Sequence, residues 1–592
     1  MPPAEPASTL PKAIGGTNAR RAGAHQDAIR RRRPWRWVVA GLLVVITGLA
    51  SWLSWKVLTV RGELAVAQAA VEDLRQGGDV KHALAQVSDS TRRAAQAAHD
   101  PVWAAAEHLP AIGDNLRAAR VCSDALDALA NGFAAPALQA LETKSTDPLL
   151  IRVLPVLKDA APKIAAINTE LQQIRHSPHL VAQLREGVDQ VADVTTVADS
   201  ALNFLPGMLG ADGARNYLLV AQSNAETLPL GGSAASQSLI RLSSGSLKIV
   251  KQADSTQYQR FVPVDVDIDK SAIDLYNQHL IDHVNTSVGR PDWPTAARTI
   301  SALWYRDIDK APLDGLISVD PLALARIMRA TGPVVVDGHK LSGSNAVSFL
   351  LSEAYALYEP HEADRVFKKV TLEVMNSLVS GDFDLVELAS AVAQSIDTGS
   401  IMFWSAHPPI QKLIEPWRVA GILPTTNLPD TTIGIFFRDA SLGSKIDYYM
   451  RTKSEVISAC KADGSVTYTV HVTVWLDLSE ERAKNLPFYV ISGDLAHKTF
   501  RTQVFIYGPP GTKVTKEFRE RHTGKAWNWR PLSMTDLGRP TPSFMTVNPL
   551  GGEKVTVGVT FTGPADGHGP LQVRTTPMVH PTSVKIQEGC AR

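Results

Sequence analysis

At 592 residues the chain exceeds what one hydrophobic core sustains, about 250–300 residues, so several domains are expected. A 44% hydrophobic and 20% charged content is that of a folded protein and excludes wholesale disorder. The net charge of +1 lacks the basic excess of a nucleic-acid binder, which argues against nucleic acid as the main partner.

Residues 1–34 are rich in Pro, Ala and Gly and end in Arg30-Arg31-Arg32-Arg33-Pro34, with Arg20, Arg21 and Arg36 on the same side. This composition buries no core and predicts a disordered cytoplasmic tail. From Trp37 to Trp55 there is no charged residue, and Trp35, Trp37, Trp52 and Trp55 mark the two ends. That length suits a bilayer core, and indole rings favour its interfaces, so 35–58 reads as a transmembrane anchor. The arginines before it place the tail in the cytoplasm and the bulk of the chain outside. A cleaved secretory signal is the competing reading. Its apolar stretch is typically about 7–15 residues, shorter than this one, and the small-residue triplet Ala65-Val66-Ala67 lies inside a helical pattern. Both readings export the chain.

Val60, Leu64, Ala67, Val71 and Leu74 step by four and three, and after Gly77-Gly78 the spacing resumes through Val80, Leu84, Val87, Thr91, Ala94 and Ala98. Such a seam packs against a neighbouring helix or against another copy of the chain. Further Ala- and Leu-rich helices, punctuated by Pro110, Pro136, Pro148, Pro155 and Pro162, predict a helical stalk or bundle over 59–204.

Asn216 to Ala221 then reads as a buried strand ending in a polar turn with Gly231-Gly232, followed by strands at 238–242 and 246–250. A helix around Thr295 to Tyr305 leads to a strand at Gly315 to Val319. Asp320-Pro321 starts a helix that Gly332-Pro333 stops. This alternation predicts an α/β domain over 205–428. In the last section, 429–592, Val466 to Leu476 and Val555 to Phe561 alternate apolar with polar residues, predicting an antiparallel β-sandwich. Of the three cysteines, Cys460 and Cys590 fall in this section and are the expected disulfide, worth about 4–5 kcal/mol for so long a loop. Cys122 is left as a buried free thiol or a link to another chain.

Four segments carry polar groups to be weighed. Gly508-Pro509-Pro510-Gly511-Thr512-Lys513 lacks the spacing of a phosphate-binding loop and reads as a turn. His279 and His283 stand four apart with Asp282 beside the second; no third ligand is evident, so a surface pair and no metal is expected. Asn224-Ala225-Glu226 follows a buried strand, where α/β sheets bind ligands, although a tight turn accounts for it equally. In Asp364-Arg365-Val366-Phe367-Lys368-Lys369, a helix would group Arg365, Lys368 and Lys369 on one face, either as a phosphate clamp or as a solvated surface.

The runs Asn216 to Val220, Ser223-Asn224-Ala225-Glu226 to Gly231-Gly232, Leu313 to Pro321 and Ala330 to Val334 resemble the signature of the domain of unknown function 4012 family. So do Asn345, Leu350-Leu351 and Tyr355, and Ser444 to Tyr449. Such proteins are chiefly envelope proteins of actinobacteria and related Gram-positive bacteria. The order of features also resembles, more faintly, the LytR–CpsA–Psr family, which moves glycopolymers from polyprenyl-pyrophosphate carriers onto peptidoglycan. That resemblance implies a pyrophosphate site for Asp364, Arg365, Lys368 and Lys369, with Asn224 and Glu226 shaping it or assisting Mg2+. Leu228 stands where the 4012 signature usually has Arg, which removes a cation from the mouth.

The expectation is therefore a multidomain, membrane-anchored, extracytoplasmic cell-envelope protein. Its α/β domain would bind a polyprenyl-linked phosphate or envelope glycan through Asn224, Glu226, Arg365, Lys368 and Lys369. Whether it is an enzyme is left open; if so, it would be transferase-like. The alternative is a non-catalytic scaffold that self-associates through the stalk and binds partners through the β-sandwich.

Overall fold

The computed structural model describes residues 35–589 except 76–78, 111, 144–146, 148, 244–245, 381–382, 442–443, 492–498, 521–524 and 565–566. The expected tail at 1–34 and Cys590 lie outside the described residues. The chain is a mixed helix-and-sheet protein with one N-terminal apolar helix and several sheets.

Helix α1 (Trp35–Arg75) runs unbroken for 41 residues, so the apolar span and the first stalk segment are one rod. Its stretch Leu42–Asp73 is long and apolar enough to cross a membrane. Leu42, Leu43, Val44, Val45, Ile46 and Leu49 stay exposed, an apolar surface that the protein itself leaves uncovered. Helix α2 (Val80–Ala98) starts at Asp79, whose carboxylate accepts from the His82 amide at 2.7 Å. It packs back on α1. Val60 meets Ala94, Ala97 and Ala98, and Arg93 holds Glu63 through two bonds of 2.9 Å. The part of the heptad-like seam around Val60 is thus filled within one chain, while Val71 stays exposed. Short α3 (Pro101–Ala106), α4 (Gly113–Asp127), a π-helical turn at Ala128–Ala134, α5 (Ala135–Glu142), α6 (Leu149–Arg175) and α7 (Ala182–Met208) complete the bundle. Pro155 and Pro162 do not punctuate it: α6 continues through both. Each proline costs a backbone bond, which the packing of α6 on α4 and α7 outweighs. Cys122 is buried and free inside the bundle, its thiol pushed up to about 12 by burial.

The next sheet has strand order β3-β2-β1-β4-β7, from β1 (Arg215–Ser223), β2 (Ser233–Ser243), β3 (Ser246–Asp254), β4 (Gly315–Val319) and β7 (Ile401–Ser405). Only β1 and β4 pair in parallel. Between β3 and β4 lie α8 (Lys270–Tyr276), α9 (His279–Asp282) and α10 (Trp293–Asp307). Between β4 and β7 lie α11 (Pro321–Thr331), the hairpin β5 (Val334–Val336) and β6 (His339–Leu341), α12 (Ala346–Ser348), α13 (Ala354–Leu357), α14 (Pro360–Ser380) and α15 (Leu385–Asp397). Alternating side chains of β1 explain the layers. Tyr217 and Leu219 pack under α11 and α14, while Leu218 and Val220 pack under α10. The signals read at its ends bound α11 as expected: Asp320 accepts from the Ala323 amide at 2.8 Å, and Gly332 turns out at φ 83°.

After α16 (Pro408–Ile414) come β8 (Thr431–Asp439), β9 (Met450–Cys460), β10 (Ser465–Leu476), α17 (Glu480–Lys484), α18 (Phe488–Ile491), β11 (Thr499–Tyr507), β12 (Lys513–Glu520), β13 (Lys525–Asn528), β14 (Thr535–Asp536), β15 (Arg539–Pro540), β16 (Ser543–Pro549), β17 (Val555–Pro564), β18 (Leu571–Thr575) and β19 (Ser583–Glu588). Two five-stranded sheets, β12-β17-β10-β9-β19 and β13-β16-β11-β8-β18, share one core of alternating residues such as Val470, Val472, Val504, Phe544 and Val557. They are not purely antiparallel: β18 lies parallel to β8 and β19 parallel to β9. A period-two pattern sets the buried face but not strand direction. Cys460 is disulfide-bonded, and the pairing of Glu588 with Ser458 brings the end of β19 beside it. The same core takes in Ala225, Leu351, Tyr355 and Ala363, so packing continues across the boundary expected at 428/429.

Candidate functional site

The turn joining β1 to β2 is held by its own backbone: Gly231 N donates to Leu228 O at 2.8 Å and Ser233 N to Glu226 O at 3.0 Å. Gly231 has φ 130°, and a side chain on Gly232 would overlap the Ser223 carbonyl, so both glycines are required. Asn224 is fully buried. Its amide donates to Asp320 Oδ2 and to the Pro577 carbonyl, each at 3.1 Å, tying β1 to the start of α11 and to the chain after β18. Its Oδ1 is buried without a partner among the described residues. Asn224 is therefore a clasp between segments.

Glu226 forms an ion pair with Lys445, whose ammonium also lies over the Tyr355 ring. Beside it, Thr227 N donates to Asp447 Oδ2 at 2.9 Å, and Asp439 N donates to Thr227 O at 2.8 Å. Burial pushes the Asp439 carboxyl up to about 7, and burial together with the Asp439 charge holds Asp447 well above the carboxylate range. The Asn-Ala-Glu and Ser-Lys-Ile-Asp motifs thus meet in one acid cluster. It does not fit Mg2+, which wants ionised, open carboxylate oxygens: Glu226 is committed to Lys445, and the two aspartates favour their protons.

The basic helix lies elsewhere. On α14, Lys368 pairs with Asp254 at 2.9 Å and Lys369 with Asp337 at 2.5 Å, while Arg365 is exposed. Among the described residues no hydrogen bond or ion pair joins Arg365, Lys368 or Lys369 to Asn224 or Glu226. The expected five-residue site is not assembled by these contacts, and two of its three cations are already neutralised. The Asp364 side chain lies outside the description.

Two arginines are found instead at a cavity of about 50 Å³ walled by Pro229 and Leu230 of the same turn. Arg418 and Arg574 reach it from segments far apart in sequence. Arg574 donates to the Ile422 carbonyl at 2.6 Å and to Gln572 Oε1 at 3.1 Å, and among the described residues no carboxylate ion-pairs with it. Arg418 bonds the Asp397 carbonyl, its guanidinium 3.9 Å from that residue's exposed carboxylate. Burial, and then the neighbouring Arg418, lower Arg574 to about 10; burial and Arg574 do the same to Arg539, which donates only to carbonyls. Arg418 and Arg574 on one cavity wall, with Arg539 behind Arg574, suit an anion. No local pattern marked Arg418 or Arg574 in the sequence. Ser444-Lys445-Ile446-Asp447 did signal its site, through the resemblance it carried.

The class defined so far is a mixed helix-and-sheet chain with one membrane-length apolar helix. Residues 212–355, from the approach to β1 through Tyr355, match the family model described as protein of unknown function (DUF4012), which bears out that resemblance over this segment. No curated protein matches the chain. Among solved structures, the Lin1025 protein from Listeria innocua is similar at 14% identity over 39% of this chain and 86% of that one, with a TM-score of 0.19.

Proposed function

We propose that this is a membrane-anchored envelope protein with its N-terminal tail in the cytoplasm and its bulk outside, whose α/β part, together with Arg574 of β18, holds the phosphate of a polyprenyl-linked carrier or an anionic group of an envelope glycan. In this reading it assists glycopolymer attachment, and the two C-terminal sheets form a sandwich that supports the site. The observation that carries the reading is the arginine pair Arg418 and Arg574 on one cavity with the signature turn, where Arg574 has no carboxylate partner among the described residues. A space of about 50 Å³ suits a phosphate-sized group, whereas a larger organic ligand needs about 300 Å³ or more. The isoprenoid part of a carrier would therefore stay outside it. The exposed apolar surface of α1 and the arginines preceding it support the anchoring and its direction.

The second reading is a non-catalytic scaffold. It is favoured by Leu228, which is buried in the core beneath α10 where the family signature has a cation.

The test is binding of a polyprenyl monophosphate to the full-length protein in detergent. Arg418→Gln and Arg574→Gln are each expected to weaken binding at least about tenfold, the worth of a charge-assisted bond, while Arg365→Ala leaves it unchanged. No binding, or binding untouched by either glutamine, rejects carrier binding and leaves the scaffold.

A further inference from the structure

We propose that His279, Asp282 and His283 form a binding site for a divalent transition-metal ion such as Zn2+. The three ligand atoms lie within 4.8 Å of one another, although the histidines stand on a single short turn. Both imidazoles point Nδ1 at the same carboxylate oxygen: His279 at 3.0 Å from Asp282 Oδ1 and His283 at 2.5 Å. Sequence spacing had offered two ligands; the fold adds the third by turning Asp282 inward, to 4% exposure.

The surroundings hold the donors in place. Phe261, at φ 62°, sets its ring edge-on to both imidazoles, 4.5 Å from His283 and 5.7 Å from His279 between centroids. Thr286 Oγ1 donates to the His279 carbonyl at 2.6 Å, and Val264 N donates to Ile281 O at 2.9 Å, closing the turn from two sides. The backbone of the turn is thus held without the ion, and the shared bond to Asp282 turns both rings toward one point, which lowers the cost of binding.

Two imidazole nitrogens and one carboxylate oxygen are the donors of zinc and its first-row neighbours; Mg2+ and Ca2+ take oxygen. Binding requires each imidazole to carry its proton on Nε2, which frees Nδ1. The bond from the ion to Asp282 replaces the two hydrogen bonds its Oδ1 now accepts. His279 is 44% exposed in its side chain, leaving room for water as a fourth ligand. The site would also reach the signature turn, because the loop after it bonds Leu230 N through Val288 O and Ala234 N through Asn285 O. A bound ion would therefore stiffen the wall of the arginine cavity, but the proposal stands without that cavity binding anything.

The test uses full-length protein in detergent, purified without a histidine tag and stripped with a chelator. Added Co2+ is expected to give visible d–d absorption saturating at one ion per chain, which Zn2+ abolishes and Mg2+ does not. His279→Ala and His283→Ala should each weaken binding about tenfold or more, and the double variant should lose the bands while keeping the far-ultraviolet circular dichroism of the metal-free protein, its unfolding midpoint lowered because the buried Asp282 carboxylate loses both partners. No absorption with the unaltered chain, bands that survive in the double variant, or displacement by Mg2+ would each overturn the proposal.

Discussion

Asp439 is one residue whose protonation the fold controls. Burial raises its carboxyl to about 7, against an unfolded value near 4. Between those values the folded chain binds the proton that the unfolded chain releases, so this contribution is full below about pH 4 and is lost as pH rises through 7. Asp447 shifts in the same direction. The thermal midpoint is therefore expected to fall between pH 5.5 and 8, and Asp439→Asn should flatten that fall; an identical slope in the variant would refute the assignment. At this scale the sequence was a partial guide. Asn224 and Glu226 were picked out because they follow a buried strand; in the structure Asn224 is a clasp to Asp320 and Glu226 a salt bridge to Lys445. Their partners come from elements about a hundred or more residues away, and local pattern carries no record of such meetings.

Among elements, the periodic ones were legible. The strand at Gly315–Val319 and the helix between Asp320 and Gly332 occur where alternation and capping put them, because both depend on residues within one turn or one pleat. The prolines of α6 misled, since tertiary packing overrides a local penalty. The seam of α1 was visible but its partner was not: a heptad pattern says that a helix packs, not against what. That partner is α2, and the link between Glu63 and Arg93 is solvent-facing. A double-mutant cycle on Glu63→Ala and Arg93→Ala should give a coupling within the small range typical of solvent-exposed ion pairs, leaving the apolar contacts of Val60 as the main tie. A coupling well above that range would mean the pair, and not the seam, fastens the hairpin.

For the molecule as a whole, composition shifts suggested separate α/β and β domains, whereas the side chains interlock. Arg290, from the loop before α10, reaches Asp536 of β14 with bonds of 2.7 and 3.1 Å and also holds Asp292 and Asp269. Tyr276 and Tyr507 complete the chain of bonds to Asp536. Removing the arginine strands a buried carboxylate, so Arg290→Ala should destabilise by about 3–5 kcal/mol. Because the network and the shared core join both parts, their unfolding should shift together in one denaturant transition, followed by protease susceptibility of each part. A β part that keeps its original midpoint would show two independent units.

The unbroken course of α1 has a mechanical consequence. With no hinge between the apolar span and the bundle, orientation in a bilayer would be transmitted as by a lever. The helix extends about 30 Å beyond Trp55 at 1.5 Å per residue, so a tilt of about 20° would swing its far end sideways by about 10 Å. Bilayer thickness, acting on the tilt of one helix, would then steer the direction in which the bundle stands.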